Sequence, residues 1–185
     1  MHIPTFIERP AVVIALIYRR LRYGYTFRRI PLTKGYYAIV DLQDYDRLRQ
    51  YKWHVSEGNS SYATRNGPLR QGRRNQIWMH REILGIEGTM VADHINHNTL
   101  DNRRANLRPA TKLQDSYNCR KKRKNTSSRY KGVFWSKHAN KWRSQIKVSR
   151  RRIHLGYFDS EIEAARAYDR AARKHHKEFA VPNFP

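Results

Sequence analysis

The spacing of apolar residues divides the chain into stretches of different period. Residues 11–18 form a continuous apolar run followed by Arg19, Arg20 and Arg22, which predicts a strand or a short buried helix. Residues 36–40 form a strand candidate, residues 44–51 a short helix and residues 53–55 another strand. A Gly-, Asn- and Ser-rich turn at 57–61 precedes a strand at 62–64. Asn66-Gly67-Pro68 and residues 71–75 then read as a basic loop, and regular structure resumes at 77–84, helical from Met79.

The last third alternates with period two. Strands are predicted at 132–135, 142–148 and 152–157. In the second, Arg143, Gln145 and Lys147 fall on one face, while Trp142, Ser144 and Ile146 fall on the other. In the third, Arg152 and His154 alternate with Ile153 and Leu155. A helix is expected over 161–175, started by Ser160 as N-cap with Glu163 completing a capping box. Ala165, Tyr168 and Ala172 give it a narrow apolar stripe suited to lie on the three strands. The fold class is therefore α+β.

Charge adds a partner class. Lys and Arg number 38 against 15 Asp and Glu, for a net charge of +23. The excess is not confined to a tail: residues 1–79 carry 14 basic and 5 acidic side chains, 80–128 carry 10 and 5, and 129–185 carry 14 and 5. Such a balance calls for a polyanion, and nucleic acid fits best. A membrane surface would need a basic helix with a broad apolar face, which the pattern does not offer, and the run at 11–18 is too short to span a bilayer. The single cysteine, Cys119, excludes an internal disulfide and a cysteine-cluster zinc site and suits a reducing cytosol. Tyr18, Tyr23, Tyr25 and Phe27 interleave with arginines, as either a nucleic-acid contact or a strand packed on the next domain. Five consecutive cations, Arg120 to Lys124, followed by small polar residues, read as a linker that is flexible when free and able to lie along a phosphate backbone.

Residues 91–108 hold the candidate chemistry. A carboxylate and an imidazole stand side by side at Asp93-His94, an Asn- and Asp-rich turn follows, and a second short apolar segment leads to a helix start at 112–118. Strand, loop, strand and helix in that order would bring Asp93-His94 opposite the helix face that carries Asp115. Phosphodiester hydrolysis uses such groups: a neutral His94 can take a proton from attacking water. A hard cation, Mg²⁺ or Mn²⁺, would sit on one or two carboxylates and offset charge on the phosphate and the leaving oxygen. Asp93 and Asp115 are of the right type. The two-way amide of Asn106 could brace the loop.

The string DHINHNTLDNRRANLR, preceded by MHREILG and followed by RPATKLQDSYN, resembles the HNH nucleases, closest to phage and intron-encoded homing endonucleases with a ββα-metal site. The likeness covers about forty residues, His80 to Cys119. It implies that His94 is the general base, Asp93 a metal ligand and Asn106 the loop-bracing residue, with Asp115 at a helix position usually His or Asn. That departure leaves Asn118 as a substitute second ligand. His97 stands where many relatives have Gly, and His80 reads as a packing residue.

A second resemblance covers nearly all of residues 129–185. YKGVFWSKHANKWRSQIKV, RRIHLGYFDSEIEAARAYDRAARKHH and AVPNFP are similar to the plant Apetala/ethylene-response-factor (AP2/ERF) DNA-binding domain. It implies a three-stranded antiparallel sheet backed by one helix, the sheet lying in the major groove. Its base- and phosphate-contacting positions fall on Lys131, Gln145, Lys147, Arg152 and His154. Phe134 and Ser136 occupy family Arg positions, so the resemblance does not imply the plant target sequence.

The expected organisation is a basic β-rich region (1–76), an HNH motif (77–119), a basic linker (120–128) and an AP2/ERF-type module (129–185). The DNA contacts expected are Lys131, Arg143, Gln145, Lys147, Arg152 and His154, with Arg120, Lys121 and Lys122 in the linker. The functional expectation is a metal-dependent, site-directed endonuclease of double-stranded DNA, acting as a monomer in phage-host or bacterial cytosol. The rival is a DNA-binding regulator with an inert nuclease fold, which would have no need of both Asp93 and His94.

Overall fold

A computed structural model of the chain describes residues 10–58, 60–70, 72–121 and 126–185. The architecture is α+β, with five helices and four small sheets among the described residues. It forms two compact units, 1–87 with 94–109, and 88–93 with 110–185.

The first unit begins with α1 (Pro10–Tyr23). Proline suits a helix start because its missing N–H is one the first turn would leave unpaired. Gly24, at φ 78°, ends the helix by donating its N–H to Arg20 O at 2.9 Å. Residues 11–18 thus form neither the expected strand nor a buried helix. The helix buries no residue, and Ile14 and Leu21 are 65% and 82% exposed. Among the described residues no helix is long and apolar enough to cross a membrane.

β1 (Arg28–Pro31) pairs antiparallel with β2 (Tyr37–Val40), and α2 (Leu42–Leu48) follows. β3 (His54–Ser56), β4 (Tyr62–Arg70) and β5 (Arg73–Trp78) form a second sheet in that order, leading into α3 (Met79–Leu84). The basic loop expected at 66–75 is instead most of a hairpin. Pro68 has no N–H to give a ladder, and the pairing shifts register between Asn66 and Leu69 to pass it. Ile30, Ala38, Val40, Leu48, Trp53, Met79, Ile83 and Leu107 make one core. Buried Trp53 donates its indole N–H to Leu48 O at 2.8 Å, so the large ring enters without an unpaired donor.

β6 (Val91–His94) and β7 (Leu107–Ala110) form a two-stranded sheet, and α4 (Lys112–Asn118) follows. In the second unit, β8 (Val133–Ser136), β9 (Lys141–Val148) and β10 (Arg151–Phe158) form an antiparallel sheet with β9 central. α5 (Glu161–His176) backs it. Ala164, Ala165, Tyr168 and Ala172 are buried against Val133 and Ile146, as the stripe predicts. Ser160 caps α5 by accepting from Ile162 N at 3.2 Å, without the Glu163 capping box expected. Ile153 is 38% exposed, so the inner face of β10 is only partly covered.

Gly132 makes the closest approach in this unit. Its φ is +78°, and an added Cβ would lie 2.0 Å from the Tyr168 ring and 2.7 Å from Gln145 O. Both a left-handed backbone and a backbone clash oppose a side chain. Gly132→Ala is expected to destabilise this unit by about 2–4 kcal/mol, the range of strained or overpacked sites. Thermal unfolding checks it, and an unchanged midpoint would refute the packing described.

Candidate functional site

The loop between β6 and β7 is built from polar side chains that take over backbone hydrogen bonds. Asn106 donates Nδ2–H to Asp101 O at 2.7 Å and accepts from Asn96 N at 2.9 Å, so both ends of its amide are used within the loop. Asn96 donates to Asp101 Oδ2 at 2.9 Å, and Asn98 N donates back to Asn96 Oδ1 at 2.8 Å. Arg103 grips the Asp101 carboxylate with two bonds of 2.7 and 2.6 Å. The loop is tied to the core through Ile39, whose N–H donates to Leu100 O and whose carbonyl accepts from Asn102 N, each at 2.8 Å. Arg104 bonds buried Asp44 at 2.8 and 2.9 Å. Burial works to raise the Asp44 pKa, but hydrogen bonds and charge from Arg104 and Arg47 win and hold it below the ordinary value.

His94 is buried at the end of β6. Its Nε2 lies 3.3 Å from Asn102 Oδ1. An amide oxygen only accepts, so the contact is a hydrogen bond in the tautomer that carries the proton on Nε2. Asn102 was not singled out from sequence, and its own Nδ2 is buried with no hydrogen-bond partner among the described residues. The ring stands edge-on to His80 at 5.1 Å, and Tyr62 lies 6.0 Å away. His80 is a packing residue: burial, then the neighbouring His94, lowers its pKa to about 3, so it stays neutral. His97, at φ 64°, adopts the left-handed backbone that suits glycine.

Asp93 precedes His94 in the same strand but belongs to the other unit. It is buried and accepts from Asn118 Nδ2 at 2.7 Å. Asp115 and Asn118 lie three apart on α4 and so share a face. The helix is started by a reciprocal capping box between Thr111 and Gln114. Burial, then the charge of Asp93, raises the Asp115 pKa. Two carboxylates close enough to repel each other suit a divalent cation, which needs anionic oxygens. Asn118 uses one of about four lone pairs on the Asp93 carboxylate. Among the described residues no three His, Cys, Asp or Glu groups gather into a ready cage, and Mg²⁺ commonly takes only one or two carboxylates, completing its shell with water and phosphate.

The sheet of the second unit carries the other candidates. The register sets Arg152 opposite Lys147, His154 opposite Gln145, and both Tyr157 and Phe134 opposite Arg143. Arg143, Lys147, Arg152 and His154 are exposed and Gln145 is half-buried, which makes one cationic, hydrogen-bonding face. Lys131 lies elsewhere: its Nζ donates to Tyr117 O at 2.7 Å and Cys119 O at 2.6 Å, and burial lowers its pKa. Lys121 is turned back onto Ser128 O and Tyr130 O at 2.6 and 2.7 Å. Arg120 is exposed, and Lys122 lies outside the described residues.

Residues 75–117 match the HNH endonuclease family and residues 128–178 the AP2 domain. The chain is 33% identical over 156 residues to an uncharacterized HNH endonuclease of Acanthamoeba polyphaga mimivirus, covering 81% of this chain and 76% of that one. It is 43% identical over 60 residues to APETALA2-like protein 2 of Oryza sativa subsp. japonica. It is 45% identical over 62 residues to an AP2/ERF and B3 domain-containing transcription factor of Arabidopsis thaliana. These two alignments take in 31% and 34% of this chain, but only 14% and 18% of the plant proteins.

Proposed function

We propose that this chain, which belongs to the HNH endonuclease family, is a metal-dependent, site-directed endonuclease of double-stranded DNA, of the homing type. The observation that carries the reading is the pair Asp93-His94, each member held by its own partner. Asn118 bonds the carboxylate at 2.7 Å, and Asn102 accepts from the imidazole at 3.3 Å. A bound Mg²⁺ or Mn²⁺ would supply Lewis-acid stabilisation of the phosphate and the leaving oxygen. Asp93 is the ligand proposed for it, with Asp115 the second and Asn118 the alternative. His94 is the proposed base, and in the tautomer that donates Nε2–H to Asn102 it takes the proton of the attacking water at Nδ1. Asn106 holds the loop that presents Asn102.

A DNA-binding regulator with an inert site is the rival. Loss of catalysis would relax the demand for both a buried carboxylate and a buried imidazole, yet both stand with amide partners. Supercoiled plasmid incubated with the purified chain decides between them. Relaxation or linearisation with Mg²⁺ or Mn²⁺, and none in excess chelator, is expected of the nuclease. Intact plasmid under every metal condition favours the regulator.

Target choice is assigned to the exposed face of β9 and β10. Arg152 can pair bidentately with a guanine edge, so Arg152→Ala is expected to weaken binding by about 1–3 kcal/mol on a selected site and far less on a scrambled duplex. Titrations on both duplexes at one salt concentration check this. Equal losses would make Arg152 a phosphate contact, which carries no sequence information.

A further inference from the structure

The basic segment 120–128 reads in sequence as a flexible tether between a cutting part and a gripping part. The contacts around α4 describe another arrangement. A helix leaves its last carbonyls without partners, and α4 has no basic residue in its last turn to meet them. Lys131, from the start of the C-terminal module, supplies that charge through its bonds to Tyr117 O and Cys119 O. The Tyr117 ring stacks on His176, the last residue of α5, at 3.7 Å and 8°. Its hydroxyl accepts from Ser149 N at 2.9 Å, in the tight turn between β9 and β10 where Ser149 and Arg150 both have positive φ. His176 in turn donates to Lys147 O at 2.9 Å, tying the stacked ring to the middle strand. Phe179 packs with Ala110, Leu113, Tyr117 and Val91, and Val91 lies two residues before Asp93 in the same strand. Both segments that carry the carboxylates therefore sit on the module that carries the DNA-reading face, within one compact unit.

We infer that the recognition module holds α4 as part of its own body, so that Asp93 and Asp115 keep one fixed offset from the DNA gripped by β9 and β10. Lys131, Tyr117 and His176 are the positioning residues. This rests on the nuclease reading for its effect on cutting, while the anchoring itself is measurable without it. The segment 120–128 is then a bypass whose length does not set the cut position, and recognition and metal binding are mechanically one element.

The test maps cut positions on an end-labelled duplex selected for binding to the full-length chain, with Mn²⁺. The parent is expected to cut at a single offset, and insertion of Gly-Gly-Ser after Lys124 to leave that offset unchanged. Lys131→Met and Tyr117→Ala are expected to spread the cuts over several nucleotides, with Lys131→Arg restoring the single offset. An insertion that moves or blurs the cut overturns the inference. So does a Lys131→Met chain that keeps one offset, with or without weaker DNA binding, since Lys131 then plays no positioning part. Hydrogen exchange of the α4 amides, without metal or DNA, separates this inference from the nuclease reading. Exchange about tenfold faster or more in Lys131→Met, reversed in Lys131→Arg, supports anchoring even if no duplex is cut. Equal exchange in all three chains overturns it.

Discussion

His94→Ala is expected to slow DNA cleavage by on the order of 10²–10⁴-fold, the usual contribution of a positioned general base, while DNA affinity stays nearly unchanged. His80 is buried, and its pKa of about 3 keeps it neutral, but it packs among Tyr62, Trp78 and His94, and its Nδ1 has no hydrogen-bond partner among the described residues. Asn106 spends both ends of its amide on the loop. His94 has an amide oxygen beside Nε2, and the tautomer that donates there leaves Nδ1 able to take a proton. Tight DNA binding survives the substitution because the cationic face of β9 and β10 is separate in sequence from the imidazole. Single-turnover cleavage with saturating protein isolates the chemical step from binding. Equal rates for parent and His94→Ala would remove His94 from the mechanism.

What was legible in the sequence depended on how local the determinant was. The bracing role expected of Asn106 is visible because an Asn-rich turn must satisfy its own backbone, and both its partners lie within ten residues. Asn102 escaped notice because a Asp-Asn pair in a turn reads as turn chemistry. Its part in holding His94 exists only once the loop has folded. The Asp44–Arg104 pair joins residues 60 apart, and no spacing rule connects them. The hairpin at 62–78 was masked by Asn66-Gly67-Pro68, since breakers signal a loop unless a register shift absorbs them. The apolar run at 11–18 predicts a strand or a short buried helix, but hydrophobicity implies burial only on average, and α1 stays exposed. The period-two strands of the last third were clear because alternation and a capped, striped helix agree there. Lys131 shows the limit of reading residue by residue: its side chain reaches α4 rather than the outer sheet face.

Removal of metal is expected to abolish cleavage, and the two carboxylates are expected to differ in how they respond. Partners that merely orient a metal ligand are worth about 10–100-fold in affinity. Loss of the ligand's own charge in Asp93→Asn should therefore raise the metal concentration for half-maximal cutting by at least about tenfold. Asp115→Asn should raise it less, since an amide oxygen remains as a neutral ligand. Stability provides an independent check on the same pair. Burial and the Asp93 charge raise the Asp115 pKa, so the folded chain holds that proton more tightly than the unfolded chain. The stabilisation this provides is complete below the ordinary aspartate range and is lost as pH rises through the raised value. At neutral pH and without metal, ionised Asp115 is thus a liability, and Asp115→Asn should melt above the parent. A divalent cation neutralises the repulsion and binds only the folded site, so added Mn²⁺ should raise the parent more than the variant and narrow the gap. Melting curves for both chains at acid and neutral pH, with and without Mn²⁺, test each step. A metal-free Asp115→Asn chain that melts below the parent at neutral pH would show that the two carboxylates do not repel. Cutting that persists in excess chelator would remove the metal from the reaction altogether.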